Sequence, residues 1–169
     1  LKIKNDITER KTKMQIIDDF LSKDNFDLIK NSTINCKFPL YYNHYVNPHD
    51  ENNFYFCHVF YEDNFSKSSY INLIMPILEK LKAKSLIRAK LNCFPKTEKL
   101  IVYAEHCDFD FSHKGAILYL NDCDGGTYVG EKFIQSKENR VLLFESSKKH
   151  SSTNCTNQRC RFNININYF

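Results

Sequence analysis

The last strand-length run of the chain, Arg161-Phe162-Asn163-Ile164-Asn165-Ile166-Asn167-Tyr168, alternates strictly over eight residues. Successive side chains of a strand point to opposite faces. Phe162, Ile164, Ile166 and Tyr168 therefore share one face, and Arg161, Asn163, Asn165 and Asn167 share the other. The first is a core face. The second is polar but carries no acidic residue, which suits the lining of a wet cavity.

Runs of strand character fall at about 85–93, 99–105, 115–121, 126–134, 140–145 and 159–168, the last being the alternating run. Turns such as Asp122-Cys123-Asp124-Gly125-Gly126 and Lys137-Glu138-Asn139 separate them. The first half reads differently. Residues 1–12 form a polar lead-in, and Met14–Leu21 fits either a short strand or the start of a helix. Ser22 can cap a helix whose apolar stripe is Phe26, Leu28 and Ile29. Cys36–Tyr42 and Phe54–Tyr61 read as extended, and 43–53 as a loop. Tyr70, Leu73, Ile74, Ile77, Leu78 and Leu81 give the clearest helical spacing, capped from Ser66, Ser68 or Ser69, with Pro76 expected to kink or break it. Helices followed by many short strands imply an α+β fold with a sandwich or jelly roll. With no repeat and no low-complexity linker, 1–169 reads as a single domain: residues 1–84 as mainly helical support and 85–169 as the β core.

Composition narrows the function classes. Hydrophobic residues make up 42% and aromatic residues 14%, which is globular. The net charge of +4 is spread along the chain among acidic residues, so nucleic-acid binding is permitted but not indicated. No apolar run approaches the roughly eighteen residues of a membrane span, and the N-terminus has no apolar core of signal-peptide length. Seven cysteines, an odd number without a C-x-x-C pair, favour reduced thiols and a cytoplasmic location.

The chemistry-bearing residues lie in the C-terminal third. His106 and Asp108 are two apart at the end of the apolar run Leu100–Ala104, so on a strand they would point one way and Cys107 the other. Facing away, Cys107 reads as packing. A second isolated imidazole, His150, follows the apolar run Val141–Phe144. Two His and one carboxylate that leave metal positions open match the facial triad of non-haem Fe(II) sites. Spacing alone does not establish a metal site: His106–Asp110 also reads as an Asp-rich turn, and His113 could take the place of His150 in a local site.

The surrounding residues resemble the 2-oxoglutarate- and Fe(II)-dependent dioxygenases, particularly the prolyl-4-hydroxylase-like group. The His-x-Asp is followed by a strand carrying Tyr119-Leu120-Asn121 and by Gly125-Gly126-Thr127, a Gly-Gly-x-Thr-like turn lacking the usual intervening residue. Asn139-Arg140 then leads into the apolar strand ending at Phe144, and His150 comes next. A basic residue opens the final strand, which closes on Tyr168-Phe169. The likeness is close over roughly 85–169 and loose before that.

This resemblance implies a double-stranded β-helix (jelly roll) core with N-terminal helices packed on one sheet. It also implies a hydroxylase in which His106, Asp108 and His150 hold Fe(II), 2-oxoglutarate takes two further metal positions and O2 the last. Succinate and CO2 leave as a substrate C–H bond is oxidised. The far carboxylate of 2-oxoglutarate needs a buried cation, and Arg supplies a bidentate fork. Arg161 matches the family when counted back from the terminal aromatic pair, and Arg159, of the same parity and nine residues after His150, is the alternative. Tyr119 could bond the same carboxylate. Tyr103, three before His106, would face away on a regular strand. Phe94-Pro95 stands where some relatives carry Tyr-Pro, and Phe94 lacks that hydroxyl. The substrate is a small molecule or a peptide, with a peptidyl prolyl residue as the first guess. The loops 43–53 and 61–69 are expected to cover the pocket mouth, where substrate choice usually lies. Two other classes stay open: a non-catalytic jelly-roll domain that binds a ligand or partner while retaining a metal site, and a zinc-type hydrolase on the same three ligands.

Overall fold

The structure is a computed structural model and describes residues 14–46 and 53–169. The expected polar lead-in and the tip of the 43–53 loop lie outside the described residues.

Two sheets form the frame. The major sheet runs β1 (Gln15–Ile17), β9 (Val141–Glu145), β6 (Lys114–Tyr119), β11 (Cys160–Tyr168), β5 (Leu86–Pro95), β3 (Tyr55–Glu62) and β2 (Tyr41–Asn43), with β4 (Phe65–Ser66) hairpinned onto β3. The minor sheet runs β10 (His150–Ser152), β7 (Gly126–Val129) and β8 (Lys132–Gln135). All the pairings between these strands are antiparallel. The fold is a jelly roll, and β11, flanked by β5 and β6, is the strand on which both of its faces depend.

On one side of β11, Ile164, Ile166 and Tyr168 join Ala89 and Leu91 of β5 and Ala116 and Leu118 of β6. The helices cover this face. In α1 (Lys23–Thr33), Ser22 accepts the Asn25 N–H, and Phe26, Ile29 and Thr33 are buried on one stripe. Leu28, expected on that stripe, is 55% exposed, because the i, i+3, i+7 set begins at Phe26. The second helical stretch divides where the sequence places Pro76. A 3-10 turn (Ile71–Ile74) precedes α2 (Met75–Leu81), and Pro76 sits in the first turn of α2, where its missing N–H leaves no bond unmade. The residues before 85 thus supply helices and also β1 to β4, so "mainly helical" describes them incompletely. Within Met14–Leu21 the strand alternative holds over Gln15–Ile17, where β9 offers an edge.

Between the sheets, Ile117, Tyr119, Leu142 and Phe144 meet Ile134 of β8. β6 and β9 are therefore apolar on both faces, which is why their sequences read as continuous runs rather than alternating ones. The 126–134 run is a hairpin, with Gly130 turning at φ +58°. The 99–105 run is not a regular strand. It lies along β10 through isolated bridges, Val102 to Thr153 and His106 to His150, while Leu100 and Val102 stay largely exposed. The Asn154 side chain accepts the Ile101 N–H at 2.8 Å and displaces regular pairing there.

Candidate active site

The polar face of β11 forms one wall of a cleft between the sheets. Asn163 and Asn165 line it with Lys90, Asn92 and Phe94 of β5, and His150, Ser152 and Thr127 face them from the minor sheet. His106 and Asp108 complete the centre. One ligand atom from each of His106, Asp108 and His150 lies within 4.8 Å of the others. Asp108 does not reach this point along a strand, since it sits just beyond the His106 bridge with its N–H on the Ser146 carbonyl. Cys107 faces solvent, so it does not pack as expected. His113 is not in the group. It is buried behind it, with Nε2 3.2 Å from Asn167 Nδ2.

Local bonds orient the three groups. His150 Nδ1 lies 2.9 Å from the Lys148 carbonyl and His106 Nδ1 3.3 Å from the Ala104 carbonyl. Each ring can donate there, which leaves Nε2 to accept. Burial, and then the nearby His150, push His106 below its ordinary value and favour the neutral, ligating form. Asp108 is the most heavily supported residue of the site. Arg88 reaches Oδ1 at 2.5 Å, while Ser146 Oγ and Asn167 Nδ2 donate to Oδ2 at 2.6 and 2.9 Å. Burial alone would raise this carboxyl. The charges of Arg88 and Lys90, together with the Ser146 hydroxyl, override burial and hold it well below the usual carboxylate range. Two imidazoles freed at Nε2 and one fixed carboxylate suit a divalent transition metal with open positions.

The two candidate arginines separate. Arg159 is exposed in the bend before β11. Arg161 is fully buried: Nε donates to the Thr153 carbonyl at 2.8 Å, one terminal nitrogen bonds Ser152 Oγ, and the guanidinium lies 4.5 Å above the Phe94 ring. The other terminal nitrogen, Nη1, is buried with no partner among the described residues, as is Thr127 Oγ1. Tyr119 is also fully buried, and burial pushes its hydroxyl up to about 12, so it remains a neutral donor. A buried cation with a bare N–H fits an anionic group of a bound molecule. Gly125 makes room here. A Cβ at this position would come within 1.8 Å of the Asn154 carbonyl oxygen and 3.0 Å of Arg161 Cδ.

Sequence reasoning missed Arg88, Lys90, Asn92, Ser146, Thr127 and the packed position of Tyr103. Tyr103 is buried beside Phe94, ring to ring at 5.5 Å, because the irregular 99–105 segment breaks strand parity. The polar residues Arg88, Lys90 and Asn92 alternate with Ala89 and Leu91 along β5, the same signal that marks β11.

No protein-family model matches the sequence, and no curated protein matches it. Solved structures do. A Trichoplax adhaerens prolyl hydroxylase, determined in complex with a hypoxia-inducible-factor oxygen-degradation-domain peptide, superposes with a TM-score of 0.67 at 16% identity, over 92% of this chain and 83% of that one. The chain has the fold of the 2-oxoglutarate- and Fe(II)-dependent oxygenases. A Pseudomonas putida prolyl-4-hydroxylase (TM-score 0.59, 14% identity, 92% of this chain and 91% of that one) shares it. So does the non-haem α-ketoglutarate-dependent epimerase SnoN of nogalamycin biosynthesis (0.63, 13%, 92% and 77%).

Proposed function

We propose that the protein is an Fe(II)- and 2-oxoglutarate-dependent oxygenase that hydroxylates a C–H bond of a small molecule or peptide. The observation that carries this is Arg161. A fully buried guanidinium with an unpaired N–H, next to cleft residues Phe94 and Ser152, is unfavourable unless a ligand anion completes it. A zinc hydrolase on the same three ligands needs no such cation, and a binding domain without chemistry has no need for a carboxylate so elaborately held as Asp108.

In this reading His106, Asp108 and His150 hold the iron. Arg161 receives the far carboxylate of 2-oxoglutarate, with the Thr127 and Tyr119 hydroxyls beside it. When bound, iron and 2-oxoglutarate supply the oxidising power: one atom of O2 enters the substrate C–H bond as hydroxyl, and the other enters succinate as CO2 leaves. The chain itself orients and shields. Phe94 and Ile117 wall the cleft with apolar surface, the Lys148 and Ala104 carbonyls fix the imidazole tautomers, and Arg88 with Ser146 and Asn167 keeps Asp108 ionised and in place.

Anaerobic titration with Fe(II) and then 2-oxoglutarate tests the reading through the visible metal-to-ligand charge-transfer band. The band is expected in the wild type, absent in His150→Ala, shifted to at least about 100-fold higher 2-oxoglutarate in Arg161→Ala, and unchanged in Arg159→Ala. Iron binding with no band on adding 2-oxoglutarate would move the protein to the binding-domain class.

A further inference from the structure

The cleft holds a second cation that the reaction described above does not use. Lys90 of β5 stands opposite Asn165 of β11 and opens into the cleft with Asn92. Phe94, which pairs with Arg161, is four residues away, about 13 Å along the strand. The two cations therefore serve different parts of the cleft, with Asp108 bonded to Asn165 at the Lys90 end. Among the described residues the Lys90 ammonium has one polar contact, Tyr55 Oη at 3.5 Å, and no ion pair. Asp108 makes no direct ion pair with it: Arg88 holds that carboxylate at 2.5 Å, and Lys90 acts on it only through its charge.

Two buried acceptors flank Lys90. Asn92 donates its amide to Asn163 Oδ1 at 3.0 Å, and Asn165 donates its amide to Asp108 Oδ2 at 3.3 Å. Each is thereby oriented with its own Oδ1 left over, and both of these oxygens are buried without a partner. A prolyl residue in a peptide is neutral and offers no N–H, so it would leave the ammonium without a counter-charge and the two carbonyls without donors.

We propose that Lys90 binds a carboxylate of the substrate, and that the substrate is a small carboxylate bearing N–H donors for Asn92 and Asn165, in the manner of a free amino acid. The proposal rests on the oxygenase reading for what happens to that molecule, but not for the site itself. It makes Lys90 a specificity-determining residue. It also places the substrate at the Lys90 end of the cleft, which the stacked rings of Tyr55 and Phe94 separate from Arg161.

Calorimetric titration of the anaerobic Fe(II)- and 2-oxoglutarate-loaded protein tests this. The probes are the free L-amino acids, their carboxamides and a capped prolyl peptide. At least one free acid should bind, with its carboxamide weaker by about tenfold or more. Lys90→Met should lose that binding by a similar factor, Lys90→Arg should retain it, and neither should move the 2-oxoglutarate affinity. Met fills the same volume without a charge, so a folded protein is expected, and the unchanged 2-oxoglutarate response would verify it. Equal binding of acid and carboxamide, preference for the capped peptide, no binding of any free acid, or a weakened 2-oxoglutarate response in Lys90→Met would each overturn the proposal. If the wild type shows no 2-oxoglutarate response but still binds a free acid through Lys90, the oxygenase reading falls and the carboxylate site stands.

Discussion

Asp108 is the buried carboxylate of the candidate site, and its support is electrostatic. It is almost wholly buried, and its charge is tolerated only because Arg88, Ser146, Asn165 and Asn167 converge on two oxygens. Removing the cation from a buried pair leaves an uncompensated charge, at a cost of about 3 kcal/mol. Arg88→Met should therefore destabilise the metal-free protein by about that amount in urea unfolding. A bound divalent cation supplies the missing positive charge, so saturating Zn(II) should narrow the gap between variant and wild type. An equal gap with and without metal would mean that Arg88 acts by packing alone. Asn167 shows how far this support extends, since it also touches His113, the histidine that stays outside the metal group.

Among the elements, β3 carries a titratable group far from the chemistry. His58 is buried among Phe38, Phe60 and Tyr70, with Nδ1 2.9 Å from the Pro39 carbonyl and Nε2 2.7 Å from Ser68 Oγ. Burial lowers its pKa, and the Pro39 bond only partly opposes this. A histidine depressed in the folded state is neutral there while the unfolded chain still binds a proton. The stability it contributes is thus complete above the unfolded value of about 6.5 and is lost as pH falls through the folded value. Melting temperature should drop between about pH 7 and 5 in the wild type, and His58→Gln should flatten that part of the profile while lowering the plateau. A profile that is the same in both proteins would place the titration elsewhere. The 66–70 segment depends on this contact, because Ser68 also caps the Tyr70 N–H.

At the scale of the whole molecule, the N-terminal segment is tied to the β core by Asn139. Its side chain bonds both the N–H and the carbonyl of Leu21, each at 2.9 Å, and its own carbonyl accepts the Phe20 N–H. The residue holds φ +56°, a conformation that Asn tolerates better than most residues. Asn139→Ala would leave two buried backbone groups unpaired in a strained turn and should cost about 3 kcal/mol. Asn139→Asp, which keeps the acceptor, should cost roughly half that. Equal losses in chemical denaturation would show that the backbone turn matters and the side-chain bridge does not. The same asparagine was visible in the sequence only as part of a turn before an apolar strand; the link to Leu21 spans 118 positions, and local pattern carries no information across that distance.

That contrast holds throughout the chain. Periodicity by itself determined the two faces of β11, the stripe of α1 through Phe26 and Ile29, the break at Pro76 and the strand content of the second half, because side-chain direction follows chain position in regular structure. Motif order and resemblance made His106, Asp108, His150 and two arginines nameable as candidates. Only the tertiary structure showed that Arg159 is exposed in a bend while Arg161 is enclosed by strands that meet far apart in sequence. Tertiary contacts also turned 99–105 into an irregular strap that brings Tyr103 inward, and they brought Arg88, Lys90 and Asn92 of β5 to face the asparagines of β11. Local pattern can say which way a side chain points; what it points at depends on strand pairing, and pairing is set by the burial of both sheets together.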